Sequence, residues 1–152
     1  MDADATDLTI LRVVQYDGRI TNNDLANQVG LSPSACLRRV RRLEEQGIID
    51  SYVALVNQAA VDKPTTVFVQ ISLESQEERK LDAFEAKVAQ VPEVMSCHLM
   101  AGDADYLVQV VCRDVADYER IHRSHFASLP YVSRLNTSFA LRTVHSHTAV
   151  AL

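Results

Sequence analysis

The chain has 152 residues, a net charge of -5 and 47% hydrophobic residues. That is room for one medium domain or two small ones, with an ordinary core. No run reaches the roughly 18 apolar residues that a membrane span needs, which excludes a spanning helix from the reading. The acidic start, MDADATD, lacks the basic and apolar segments of a secretory leader, so a cytoplasmic protein without a membrane partner is expected. Cys36, Cys97 and Cys112 are odd in number, far apart and in no metal-ligand spacing, which reads as reduced thiols.

Net charge says little about nucleic acid, because phosphate binding depends on local density. Residues 1–60 hold six Lys or Arg, and four of these are Arg38, Arg39, Arg41 and Arg42. The positive charge is concentrated on one short element.

In chain order, Asp7 to Tyr16 reads as a helix with Leu8, Ile10, Leu11 and Val14 at helical spacing, stopped by Asp17-Gly18. Thr21 is the N-cap of a second helix, with Asp24 as a weak capping box; Leu25, Ala26 and Val29 are its core face, and Gly30 ends it. Ser32 caps a third helix with Pro33 at its first position, running to about Gln46 and stopping at Gly47. Ile48 to Val56 alternates as a strand would. The polar stretch 57–64, ending in Pro64, reads as a linker between a first domain, 1–56, and a second, 65–152.

The second domain begins with a strand, Thr65 to Leu73, in which Val67, Val69, Ile71 and Leu73 share a face. A helix from about Gln76 to Val91 follows, closed by Pro92. Strands are predicted at Val94 to Met100 and Tyr106 to Cys112, then a helix at Val115 to Leu129, then a long strand at Val132 to Val144. The order β-α-β-β-α-β belongs to a ferredoxin-like domain, an antiparallel sheet with both helices on one face. The fold class is α+β. The sheet's other face is left open, and pairing it with a second copy is a common solution.

Thr21 to Gln46 is a helix, a tight Gly30-Leu31-Ser32 turn and a second helix. On that second helix Cys36 or Leu37, together with Val40 and Leu43, faces the core. Ser34, Arg38 and Arg42, spaced by four, line the opposite side, with Ala35 and Arg39 beside them and Arg41 completing the basic cluster. Ser32 and Ser34 lie near the helix N-terminus, where backbone N–H groups favour a phosphate. Arginine donates two hydrogen bonds to a guanine edge or one to a phosphate. The alternative is a solvated face, or pairing with Glu44 and Glu45. The combination of helices, turn and cap favours double-stranded DNA.

The stretch GRITNNDLANQVGLSPSACLRRVRRLEEQGIIDSYVALV resembles the winged helix-turn-helix of the Lrp/AsnC, or feast/famine, regulators. MAGDADYLVQV resembles that family's effector-domain signature. The resemblance covers nearly the whole chain. One departure is visible: family members often carry a glycine in the linker, where this chain has Val61-Asp62-Lys63. The resemblance implies a sequence-specific transcription regulator without a cofactor, a homo-oligomer built from dimers, and an amino-acid effector held between dimers.

Read from its residues alone, Gly102-Asp103-Ala104-Asp105-Tyr106 is a hairpin turn whose aspartates bond their own backbone. The functional alternative is that backbone N–H groups at the glycine hold a carboxylate while an aspartate, Asp103 or Asp105, holds an ammonium. The resemblance assigns Gly102, Asp103, Asp105 and Tyr106 to the effector, with Met100, Thr137 and Ser138 in the pocket wall.

Two histidine pairs, His122 with His125 and His145 with His147, have metal-compatible spacing but no obvious third ligand, so no metal is expected. Asp103 and Asp105 sit on a loop too short for calcium. No glycine-rich phosphate loop and no G-x-S-x-G occurs. Two other functions stay open. One is an enzyme similar to the sirohaem decarboxylases, which resemble this family in domain order; the clustered arginines weigh against it. The other is an architectural DNA-binding protein without a ligand.

Overall fold

The computed structural model describes residues 3–152. The chain divides into two compact units. The first runs to Leu55 and includes Val144–Leu152; the second is Val56–Thr143.

In the first unit three helices form, α1 (Ala5–Val14), α2 (Asn22–Val29) and α3 (Pro33–Glu45). Helix α1 starts two residues before Asp7, because Asp4 and Asp7 form a complete capping box. Asp4 Oδ1 accepts from the Asp7 backbone N–H at 2.9 Å, and Asp7 Oδ2 accepts from that of Asp4 at 3.1 Å. Thr21 caps α2, but Asp24 bonds its hydroxyl rather than its backbone. Gly30 ends α2 at φ 70° and Gly47 follows α3 at φ 66°, both in the left-handed region that favours glycine. Ile10, Leu11, Leu25, Ala26, Cys36 and Leu43 form the core, with Ile48 and Ile49 packed on it.

The strand expected at Ile48 to Val56 does not form; the only sheet among the described residues lies in the other unit. A strand needs a partner for its backbone groups, and none is present among the described residues of this unit. Tyr52 folds back so that its hydroxyl donates to Glu44 Oε1 at 3.0 Å. Val53, Leu55 and Val56 are left exposed. Residues 144–152 lie along α1: Gln15 bonds the backbone N–H and carbonyl of Val150, and Arg12 Nε donates to the Leu152 carbonyl at 3.0 Å.

The second unit opens with a 3-10 turn at Ala59–Val61. Asp62 ends it at φ 60°; aspartate is among the few residues besides glycine that tolerate this region. The elements that follow are β1 (Thr65–Leu73), α4 (Glu78–Val88), β2 (Val94–Leu99), β3 (Tyr106–Cys112), α5 (Val115–Ser124) and β4 (Val132–Phe139). The sheet order is β2-β3-β1-β4, all neighbours antiparallel, as the ferredoxin-like reading requires. Four elements are shorter than expected: α4 and β2 lose residues at their ends, and α5 and β4 stop well early. Helix α5 stops at Ser124, and a 3-10 turn at Phe126–Ser128 carries Phe126 and Leu129 into the core. Strand β4 stops at Phe139, opposite Val67 near the start of β1; the last bond is Ala140 N–H to Thr66 O at 3.0 Å.

Alternation sets the two faces of the sheet. Val67, Val69, Ile71, Tyr106, Val108 and Val110 are buried beneath the helices with Phe84, Ile121 and Phe126. Register places Phe68, Gln70 and Ser72 of β1 opposite Ser138, Asn136 and Arg134 of β4 on the open face.

Asp117 closes the junction between β3, α5 and the segment before β1. Its carboxylate accepts from the Arg113 backbone N–H at 3.0 Å, from Lys63 Nζ at 3.2 Å and from Arg120 Nη2 at 2.8 Å. These donors hold its carboxyl well below the ordinary carboxylate range, the backbone bond contributing most. A folded-state pKa below the unfolded value gives stability that is fully present above about pH 4 and is lost as the pH falls further. The melting midpoint is therefore expected to drop on acidification below about pH 4. Asp117→Asn should lower stability at neutral pH by roughly 2 kcal/mol and flatten that acid limb. Thermal melts of both proteins between pH 3 and 7 check this.

Candidate DNA-reading face and effector groove

The recognition-type helix α3 begins at Ser32, whose hydroxyl accepts from the Ala35 backbone N–H at 3.3 Å. Its Oγ also lies 3.3 Å from that of Ser34. Asn22 Nδ2 donates to the Pro33 carbonyl at 2.9 Å, which pins α2 against the start of α3. Cys36 is fully buried and Leu37 is 39% exposed, so Cys36 is the core residue of the two.

The arginines separate into two groups. Arg39 Nη1 donates to Asp4 at 2.7 Å and to Asp7 at 2.8 Å, and Arg42 Nη2 donates to the other oxygen of Asp7. The Asp7 side chain is 0% exposed, so this carboxylate needs its partners. Asp4 is held below the ordinary carboxylate range by the Asp7 backbone N–H and by Arg39. Ser34, Arg38 and Arg42 are all exposed as the spacing predicts, with Arg39 half-buried beside them; what the spacing did not show is that two of these arginines are ion-paired. Arg39 and Arg42 clasp α1, and neither pairs with Glu44 or Glu45. Arg38 and Arg41 are exposed and make no ion pair among the described residues. With Ser34 and Leu37 they form one stripe at spacings of three and four, and Ala35 is half-buried at its edge. Leu37 is the member that sequence reasoning left undecided; the spacing 34, 37, 38, 41 was the available signal.

In the second unit a groove of about 550 Å³ lies between the 100–105 loop and the open face of the sheet. Met100, Gly102 and Asp103 line it, as expected for effector residues. Gly102 sits at φ 153°, a backbone that L side chains rarely adopt. Asp105 is different. Its carboxylate accepts from the Leu73 backbone N–H at 2.7 Å and from Gln76 Nε2 at 2.6 Å, so it ties the loop to the end of β1. Tyr106 borders the groove, but its ring packs 4.5 Å from Phe84 and its hydroxyl donates to Glu85 Oε1 at 2.7 Å. Burial and Glu85 push that phenol well above its usual range. Thr137 faces the helices, where its hydroxyl lies 2.8 Å from that of Tyr118. Ser138 is on the open face opposite Phe68 and does not line the groove. Sequence reading missed Gln70, Ser72, Arg134 and Asn136, which line it from the sheet. The strand alternation that marked the core face marked these residues too.

Among the described residues no three His, Cys, Asp or Glu side chains gather as a metal site. His122 stacks on Phe126 at 6.5 Å, and His145 stacks on His147 at 6.0 Å. The three cysteines are unpaired; burial and Glu85 push the Cys97 thiol up to about 11. Among the described residues no helix is long and apolar enough to cross a membrane.

The ion pairs on α3 have a direct consequence for stability. Arg39→Ala with Arg42→Ala leaves the buried Asp7 carboxylate unpaired and is expected to cost roughly 3–5 kcal/mol. Arg38→Ala with Arg41→Ala should leave the melting midpoint within about a degree or two of wild type. Thermal denaturation of the two double variants separates the groups.

Comparison with known proteins places both units. Residues 4–50 match the model of the winged helix-turn-helix DNA-binding domain, and residues 66–150 match that of the Lrp/AsnC ligand binding domain. The chain is 41% identical to the Bkd operon transcriptional regulator of Pseudomonas aeruginosa, over 99% of each chain. It is 40% identical to the leucine-responsive regulatory protein of Salmonella typhimurium, over 94% of this chain and 87% of that one. A transcriptional regulator of Neisseria meningitidis, solved as an L-Met complex, superposes with a TM-score of 0.91 at 34% identity, covering 97% of this chain and 96% of that one. A helix-turn-helix with an exposed basic stripe, a four-stranded antiparallel sheet in the matched ligand-binding domain and relatives that cover both mean that the chain belongs to the Lrp/AsnC family of DNA-binding transcriptional regulators.

Proposed function

We propose that this regulator answers to a free amino acid bound in the groove beside Gly102, and that it acts as an oligomer built from dimers. The observation that carries the reading is the groove itself: a glycine loop whose exposed carboxylate, Asp103, makes no ion pair among the described residues and lines a groove of about 550 Å³. An amino acid presents an ammonium for such a carboxylate, and an apolar side chain would lie on Met100 and Leu107. The L-Met complex of the Neisseria relative supports this class of ligand. Asp105, the other candidate for the ammonium, serves in this reading to hold the loop in place. The proposed activity is regulatory and needs no catalytic group or cofactor.

For DNA, the proposed contacts are Ser34, Leu37, Arg38 and Arg41, with Arg42 adding charge from its 44% exposed side chain. Ser32, Ala35 and Arg39 shape the helix and its docking rather than reach bases. Removing an arginine from a phosphate lowers the salt dependence of log K by about one unit, whereas removing one from a guanine edge costs about 1–3 kcal/mol at one base pair. Arg38→Ala and Arg41→Ala are each expected to show one of these signatures in affinity titrations at several salt concentrations. An unchanged affinity and slope in the double variant would remove this face as the DNA reader.

The oligomer reading rests on two unpartnered features. One is the open sheet face, where Phe68 stands 37% exposed. The other is the extended segment 51–56 with its exposed Tyr52, Val53, Leu55 and Val56. A second copy covers such surfaces symmetrically and sets two α3 helices about one DNA turn apart, or a multiple of it. Phe68→Asp is expected to shift the protein toward monomer in sedimentation velocity and to abolish preference for a two-half-site DNA. A wild-type monomer that binds a lone half-site as tightly as a full site would sink the proposal.

A further inference from the structure

We infer that Arg134 is the group that holds the effector's α-carboxylate, so that Arg134 and Asp103 together select a zwitterion. This rests on the groove being the effector site. Arg134 lies on the open face of β4, in register with Ser72 of β1, and lines the groove. It is exposed and makes no ion pair or hydrogen bond among the described residues. Among the described residues that line the groove, it is the one cation and Asp103 is the one anion.

The surroundings fit the assignment. Ser72, next to Arg134 in the ladder, also lines the groove, so the guanidinium stands beside polar strand residues rather than an apolar wall. Gln70 and Asn136 pair across the strands one step further on and offer neutral amide donors. An arginine presents two parallel N–H bonds that match a carboxylate's two oxygens, which a backbone turn offers less directly. Loop and sheet thus contribute opposite charges from separate elements, and only a ligand carrying both signs satisfies both.

The test compares ligands that share one side chain. The probes are L-leucine, 3-methylbutan-1-amine, which lacks the carboxylate, and 4-methyl-2-oxopentanoate, which lacks the ammonium; L-methionine is run alongside. Binding to the full chain is read by isothermal titration and by the thermal midpoint. The wild type is expected to bind an amino acid roughly 10- to 100-fold more tightly than the amine, the worth of a charged hydrogen-bonded contact. Arg134→Gln should erase that difference, lowering the amino acid's affinity to the amine's while leaving the amine unchanged. Asp103→Asn should do the same against the oxo acid, and Arg134→Lys should restore part of the loss. If Arg134→Gln weakens amino acid and amine equally, or leaves amino-acid affinity unchanged, the carboxylate assignment is overturned while the effector reading survives. If neither amino acid binds the wild type, and the rest of the common set also fails, the effector reading itself falls and takes this assignment with it.

Discussion

The structure depends on carboxylates that have left water and must find donors. A carboxylate removed from solvent without partners costs several kcal/mol, so each such group dictates what packs near it. Asp7 and Asp117 are buried and act this way, and the half-buried Asp105 is held by donors in the same manner. Asp7 joins α1 to α3 through Arg39 and Arg42. Asp105 joins the 100–105 loop to the last residue of β1 and to Gln76. Asp117 joins β3, α5 and Lys63. Each sits at a junction where apolar packing alone would allow sliding, and each fixes the angle or register there. The cost of desolvation is what makes them specific, because no neighbouring register supplies the same donors.

The functional surfaces are what these clasps leave free. On α3, Asp7 uses Arg39 and Arg42, and the remaining arginines, Arg38 and Arg41, form a narrow stripe with Ser34 and Leu37. A helix that reads DNA must be held rigidly and still present donors, and in the proposed reading the division of the four arginines serves both needs. Asp105 does the same for the loop: by binding backward to β1 it leaves Gly102 and Asp103 facing the groove. In the proposed reading two aspartates two residues apart divide the tasks of anchoring the loop and meeting a ligand.

The sheet also carries two duties on two faces. Its buried side is apolar and closed by α4, α5 and the Phe126 turn. Its open side carries Phe68, Gln70, Ser72, Arg134 and Asn136, a mixture too polar for a monomer's core and too structured for a plain solvated surface. Part of that face belongs to the groove, and the rest suits a second copy of the chain. In the proposed reading, ligand and partner share one sheet, which gives a bound molecule a physical route to the state of assembly.

Much was legible in the sequence because local chemistry decides it. Thr21, Gly30, Ser32-Pro33 and Gly47 mark helix ends through capping and left-handed backbone, and the structure keeps those boundaries to within a residue or two. Alternation in Thr65 to Leu73 and Tyr106 to Cys112 marks two strands to the residue. What sequence spacing does not contain is a partner from far along the chain. A strand exists only if another meets it, so Ile48 to Val56 stays unladdered and β4 ends near the start of β1. An arginine is free only if no distant carboxylate claims it, so spacing alone could not tell Arg39 and Arg42 from Arg38 and Arg41; the position of α1 does. Asp103 and Asp105 are equivalent by spacing too, and only the Leu73 N–H and Gln76 distinguish them. Element type is set by contacts three or four residues apart and can be read in advance. The accessibility of a charge depends on contacts about 30 residues apart, as between Asp7 and Arg39, and only the folded chain assigns it.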